Sequence, residues 1–180
     1  LPEGSRLLTA DVNSLYPSIP WLEGIEAATA YYAEHVKHLR KIHKERKLLP
    51  PPSIQDFHDA LRTVVTRSYI TYKERRFFRQ ISGTSMGACV SVYFANAFMY
   101  KLTRHLIPRN SVTPALRRPK WLLFFERYID DIVAIVDVSA SQRDVDELFT
   151  DISTRTISYT VSEIALTTPV LDVLVTIDST

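Results

Sequence analysis

Two aspartates stand side by side at Asp130 and Asp131 between two apolar runs, and a third, Asp11, closes the run RLLTADV near the start of the chain. Adjacent acids at the tip of an apolar hairpin are costly, because like charges repel and an apolar core cannot solvate them. A divalent cation compensates. Carboxylates delivered by two separate elements are what a two-metal site needs, bridging ions about 3.5 to 4 Å apart. Because side chains alternate along a strand, Asp130 and Asp131 are not expected to point the same way. Asp130 is therefore assigned as the main ligand beside Asp11, with Asp131 auxiliary; the ordinary preference of aspartate for tight turns is the competing explanation of the pair. His35 and His38 share a helical spacing but have no third ligand nearby in sequence, so they read as surface histidines.

The elements that must position these residues follow from periodicity. Arg6 to Val12 reads as a strand that delivers Asp11 to its carboxyl end, and turn chemistry follows at Pro17 to Pro20. From Glu23 to about Arg46, apolar residues recur at three and four, which predicts a helix with a basic end. Pro50 to Pro52 form a stiff joint, and Ser53 with Asp56 is a candidate cap for a helix from Ile54 to about Thr66. Tyr69 to Tyr72 and Phe77 to Ile81 predict a hairpin, Gly83 to Gly87 a loop, and Ala88 to Leu106 a helix whose small residues permit close approach. A basic loop from Ile107 to Lys120 precedes the strands Leu122 to Tyr128 and Ile132 to Val136, the plainest hairpin in the chain. Ser141 caps a helix running to about Thr154, and Ile157 to Ile164 and Val170 to Ile177 read as strands. Antiparallel strands with helices on one face make an α+β sandwich.

The 180 residues, 46% apolar and 23% charged, suit one domain with a sizeable core rather than a disordered tail or a two-domain enzyme. The single cysteine, Cys89, can neither close a disulfide nor build a zinc ribbon, which points to a reducing, intracellular setting. No apolar stretch approaches a membrane span, and the start at Leu1 without methionine suggests a piece of a longer chain. The net charge is only +2, but it is segregated: of the 22 Lys and Arg all but Arg143 and Arg155 lie at or before Arg127, whereas half of the 20 acids lie from Asp130 onward. Such a separation fits one surface that follows a polyanion and another that holds cations or faces solvent, ordinary solvated helix faces being the competing explanation. The basic helix around Lys37 to Lys47, with Lys41 and Lys44, and the cluster of Arg75, Arg76 and Arg79 are the candidate phosphate contacts, with Tyr31, Tyr32, Phe77 and Phe78 interleaved as stacking candidates.

The ordered set DVNSLYPSIP from Asp11, GTSMG from Gly83 and RYIDDIVAIV from Arg127 resembles motifs A, B and C of reverse transcriptases. More closely, it is similar to Penelope-like element reverse transcriptases, relatives of telomerase, a likeness that extends to the flanks of the first two motifs and to LDVLV from Leu171. The resemblance implies the palm of an RNA-directed DNA polymerase over residues 1–180, with part of a fingers insertion at about 21–80 and with full fingers and thumb outside the chain. It implies that Asp11, Asp130 and Asp131 are the catalytic carboxylates, that with the Val12 carbonyl they hold two Mg²⁺ or Mn²⁺, and that the partners are an RNA template, a DNA primer and a dNTP, with no membrane. Tyr16 falls where the family places an aromatic gate against a ribose 2′-hydroxyl, a tyrosine packed in a turn being the other explanation. Gly83, Met86 and Gly87 fall in the loop that approaches the template base or incoming nucleotide. Asn96 matches the motif-B asparagine, with a cap or core hydrogen bond as the alternative. Nuclear localisation follows if the parent acts on chromosomal DNA.

Two departures stand out. Ser91 and Val92 occupy the place of the usual Ala-Pro or Ser-Pro pair, and no lysine occurs beyond Lys120 to protonate pyrophosphate, leaving that role unfilled or to Arg143 or Arg155. With full fingers and thumb outside it, the isolated chain is expected to be inactive, because a palm alone cannot clamp a triphosphate or a duplex. An RNA-dependent RNA polymerase palm is the enzymatic alternative, against which Tyr16 counts; a decayed or domesticated palm that binds nucleic acid or protein is the non-enzymatic one.

Overall fold

Alternating apolar runs make strands, and apolar residues at three and four make helices; the computed structural model, which describes residues 1–73, 75–107 and 118–178, follows that pattern. In chain order the elements are β1 (Arg6–Val12), α1 (Leu15–Ser18), α2 (Trp21–Glu45), α3 (Ile54–Thr66), β2 (Tyr69–Tyr72), β3 (Arg76–Arg79), α4 (Ser91–Thr103), β4 (Leu122–Tyr128), β5 (Asp131–Val136), α5 (Gln142–Asp151), β6 (Tyr159–Val161), β7 (Thr167–Val170) and β8 (Val173–Thr176). Of the expected basic loop, residues 108–117 lie outside the described ones. Two units divide the chain: Leu1–Leu15 with Leu102–Thr180, and Tyr16–Lys101. Among the described residues no helix is long and apolar enough to cross a membrane.

The first unit is built on a sheet of order β4-β5-β1-β6, with every neighbour antiparallel. Directly paired residues project to one face, so the register sorts the side chains. Leu8, Ala10, Phe125, Ile132, Ala134 and Val136 form the inner face, and Val145, Leu148 and Phe149 of α5 pack in the same buried cluster. The opposite face carries Asp11, Asp131, Tyr128 and Thr160 at one end. Helix α5 starts where the sequence predicts, through a complete capping box: Ser141 Oγ accepts from the Asp144 N–H at 3.2 Å and the Ser141 N–H donates to Asp144 Oδ2 at 2.9 Å. The expected strand Val170 to Ile177 is present as the shorter β8, and a left-handed Leu171 (φ 51°) turns it back antiparallel onto β7.

In the second unit α2 packs on α3, with Tyr32 stacked on Phe57 at 4.2 Å between ring centroids and its hydroxyl donating to the Pro52 carbonyl at 2.7 Å. Tyr32 is thus a core residue and not a stacking surface for a ligand. Ser53 caps α3 as expected, accepting from the Asp56 N–H at 3.1 Å. Helix α4 is shorter than the expected 88–106: the segment before it runs as turns, with Ser91 wholly buried and its hydroxyl donating back to the Ser85 carbonyl. The close approach in this unit is made at Gly24 of α2, where a Cβ would lie 2.4 Å from the Phe94 ring of α4. The β2–β3 hairpin is exposed along its whole length.

Candidate active site

Asp11 is the penultimate residue of β1, and Asp131 opens β5 directly across from it. The Val12 N–H donates to the Asp130 carbonyl at 3.2 Å, which makes Val12 and Asp130 the hydrogen-bonded position and leaves Asp11 and Asp131 the non-hydrogen-bonded pair. In that position opposite Cα atoms approach to about 4.5 Å and side chains are closest. Like charges placed directly across a ladder repel. Partial burial first, then the charge of Asp130, hold the Asp11 carboxyl above its ordinary range, against a hydrogen bond at the Val12 backbone. Burial first, then Asp130 and Asp11, do the same to Asp131.

Asp130 lies in the turn between β4 and β5, so strand alternation does not separate it from Asp131; both Asp11 and Asp131 feel its charge. Asp131 is the backbone partner of Asp11, while Asp130 is the charge common to the other two. Asp11 and Asp131 lie in the one sheet of the first unit, and Asp130 in the turn that joins two of its strands.

The turn that carries Asp130 is strained. Ile129 adopts φ 57°, a left-handed conformation that costs a β-branched residue about 1–2 kcal/mol. Arg127, on the inner face of β4, holds it by donating from Nη1 to the Ile129 carbonyl at 2.5 Å. Burial lowers the Arg127 guanidinium pKa, opposed by Tyr159 and Asp130. Tyr159, paired with Val12 on the same inner face, has its phenol pushed up to about 12 by burial, Arg127 acting in the opposite sense. Sequence reasoning assigned Arg127 no role, yet the signal was present: it falls on the inward register of β4, two residues after buried Phe125.

Three carboxylates offer the hard oxygen donors that Mg²⁺ and Mn²⁺ prefer. Among the described residues no three His, Cys, Asp or Glu side chains are placed to hold a metal ion as they stand, so a cation would have to draw these carboxylates together. Val12, the other expected ligand, buries its side chain on the inner face and offers a metal only backbone oxygen.

The other expected residues lie in the second unit. There the Tyr16 carbonyl accepts from the Thr84 N–H at 2.8 Å, and Trp21 Nε1 donates to the Gly83 carbonyl at 2.6 Å, joining the end of the first motif to the GTSMG loop. Gly83 is buried at φ 67°, and a Cβ there would meet the Pro17 Cα and the Tyr16 oxygen at 2.5 Å. Its close approach is to this backbone, which accounts for the glycine without any ligand. Met86 and Gly87 are exposed, Gly87 at φ 90° with open space around it. Thr84 and Ser91 share a buried hydroxyl contact at 2.8 Å that ties the loop to the start of α4. Asn96 is half-buried on α4. Lys41 and Lys44 are exposed near the end of α2, Lys41 3.9 Å from Glu45, and Arg75 and Arg76 are exposed on the β2–β3 hairpin. His35 stacks on Tyr31 of its own helix, and His38 is exposed.

No family model and no curated protein matches the sequence. Solved structures do match. Apo telomerase from Candida tropicalis truncated from the C-terminal domain superposes with a TM-score of 0.62 at 13% identity, over 98% of this chain and 34% of that one. A second structure of apo telomerase from Candida tropicalis gives 0.63 at 10% identity, over 98% and 31%. The chain thus spans about a third of the length of the telomerase chains it matches, and it shares their α+β fold.

Proposed function

We propose that this chain is the catalytic palm of an RNA-directed DNA polymerase, most similar to those of Penelope-like elements, joining a dNTP to a primer 3′-hydroxyl. The observation that carries the reading is the placement of Asp11 and Asp131 as direct cross-strand partners on the sheet face opposite α5, with Asp130 in the adjoining turn. Telomerase-like neighbours support the polymerase class. Asp11, Asp130 and Asp131 would hold two divalent cations, which when bound favour loss of the 3′-hydroxyl proton and neutralise the triphosphate. Arg127 acts through the backbone, fixing the Ile129 carbonyl and so the direction of the turn. Tyr16 is the sugar gate, anchored by its carbonyl to the loop that contains Gly83 and exposes Met86 and Gly87.

The test is primer extension by a parent protein that includes the segments flanking residues 1–180, on RNA and on DNA templates with Mg²⁺ or Mn²⁺. Templated dNTP incorporation on RNA, abolished by Asp130→Asn, is the expected result. Incorporation of ribonucleotides only would favour an RNA polymerase palm instead. The lack of any lysine beyond Lys120 favours a second reading, a palm that has lost synthesis and retains binding; a parent that binds primer and template but extends neither would establish it.

A further inference from the structure

The second unit holds a basic cleft that no part of the polymerase chemistry uses. It is about 520 Å³ and lies between the second half of α3 and the β2–β3 hairpin, lined by Asp59, Arg62, Thr63, Arg67, Tyr69 and Arg79, with Thr66 at its wall. Three guanidinium groups face one carboxylate. Asp59 is itself occupied, accepting from Gln55 Nε2 at 3.0 Å and standing 2.9 Å from His58 Nδ1, so the cleft is left with an excess of positive charge. Thr63 and Thr66 donate their hydroxyl protons to the Asp59 and Arg62 carbonyls of their own helix. The arginines are therefore the strong donors that remain.

One face of the hairpin continues the cleft. Tyr69 pairs directly with Arg79, and Thr71 with Phe77, so Tyr69, Arg79, Thr71 and Phe77 share that face. The Tyr69 ring is 60% exposed and Phe77 72%. Solvent-exposed aromatics beside arginines are poor choices for a bare hairpin surface, since apolar area in water is unfavourable. They suit a ligand that has both anionic groups and flat apolar rings.

We infer that the cleft and this face of the β2–β3 hairpin bind single-stranded nucleic acid, Arg62, Arg67 and Arg79 holding the phosphodiester backbone while Tyr69 and Phe77 stack unpaired bases. A duplex would offer the phosphates but keep its bases stacked on one another, leaving the rings without a partner. The inference deepens the polymerase reading by locating a strand-binding surface outside the carboxylate sheet, and it is tested without divalent metal or triphosphate.

The experiment measures fluorescence anisotropy of labelled oligothymidylate and oligouridylate of about 15 nucleotides with the 180-residue chain in EDTA, across a salt series. The triple variant Arg62→Ala, Arg67→Ala, Arg79→Ala should bind at least about tenfold more weakly, and its slope of log affinity on log salt should be shallower by about 2, because three single-strand phosphate contacts are lost. Tyr69→Ala should weaken binding about fivefold to a hundredfold and leave the slope unchanged, since stacking releases no counterions. Lys120→Ala removes an exposed cation of the first unit and should change affinity less than twofold. Circular dichroism checks that each variant keeps the wild-type fold. A folded triple variant that binds like Lys120→Ala overturns the site. Equal or tighter binding of a blunt duplex overturns the stacking half. A wild-type chain that binds neither oligonucleotide overturns the whole inference and leaves the face to a protein partner; none of these outcomes touches the primer-extension test of the carboxylates.

Discussion

At the scale of single residues, the three aspartates set function against stability. Asp11 and Asp131 hold their protons more tightly in the folded chain than the ordinary carboxylate value of 3.8. For a group shifted this way the folded state binds more protons than the unfolded one through that window, so stability falls as pH rises through the raised values and is regained on acidification. Without metal, Asp131→Asn should therefore raise the unfolding free energy by a few tenths to about 1 kcal/mol near neutral pH, relieving a like-charge cross-strand pair, and thermal unfolding in EDTA measures it. Mn²⁺ should raise the wild-type melting temperature and leave the Asn variant unmoved, because binding to the folded state alone stabilises it. The glycines divide differently. Gly83→Ala meets backbone at 2.5 Å in a left-handed conformation and should cost at least about 2 kcal/mol, whereas Gly87→Ala meets nothing and should cost about 1 kcal/mol from its φ alone. Equal losses in urea unfolding would contradict that contrast.

At the scale of elements, legibility followed locality. The cap at Ser53, the capping box at Ser141, strand β1 and the β4–β5 hairpin are decided by a few neighbouring residues, and the sequence reading located each. What it misplaced depended on contacts made elsewhere. Helix α4 begins only at Ser91 because the Ser91 hydroxyl is engaged with Thr84 and Ser85, and the last expected strand starts only at Val173 because Leu171 turns left-handed before it. The direct pairing of Asp11 with Asp131 likewise depends on the register between strands far apart in sequence, which neighbouring residues do not set. The α5 cap allows a check at this scale. Ser141→Ala removes one hydrogen bond to an orphan N–H and should cost about 1 kcal/mol. Hydrogen bonds from Ser141 hold the Asp144 carboxyl below 3.8. Its contribution is thus present above that value and lost as pH falls through the lowered one, opposite in sign to Asp11 and Asp131. The stability deficit of Ser141→Ala, followed by chemical denaturation, should shrink as pH falls below 3.8 and through the lowered value of Asp144, where its half of the capping box weakens.

At the scale of the whole molecule, charge and chemistry are divided between the two units. The carboxylates belong to the first, and Tyr16, the glycine loop and the basic cleft to the second. The proposed palm would need both to act on one substrate, and that requirement yields the sharpest test of the proposed function. In a parent protein that extends primers, Tyr16→Ala should relax sugar discrimination while retaining deoxyribonucleotide incorporation, because the ring works by occupying the space of a 2′-hydroxyl and truncation removes a clash rather than a bond. The Tyr16 carbonyl that accepts from Thr84 belongs to the backbone, so the loop anchor survives the substitution. Asp130→Asn should abolish incorporation of both sugars, since a neutral amide cannot hold paired cations. Single-turnover extension gives the ratio of ribonucleotide to deoxyribonucleotide rates. A Tyr16→Ala protein whose two rates fall together, with the ratio unchanged, would make Tyr16 a packing residue and return weight to the RNA-polymerase alternative.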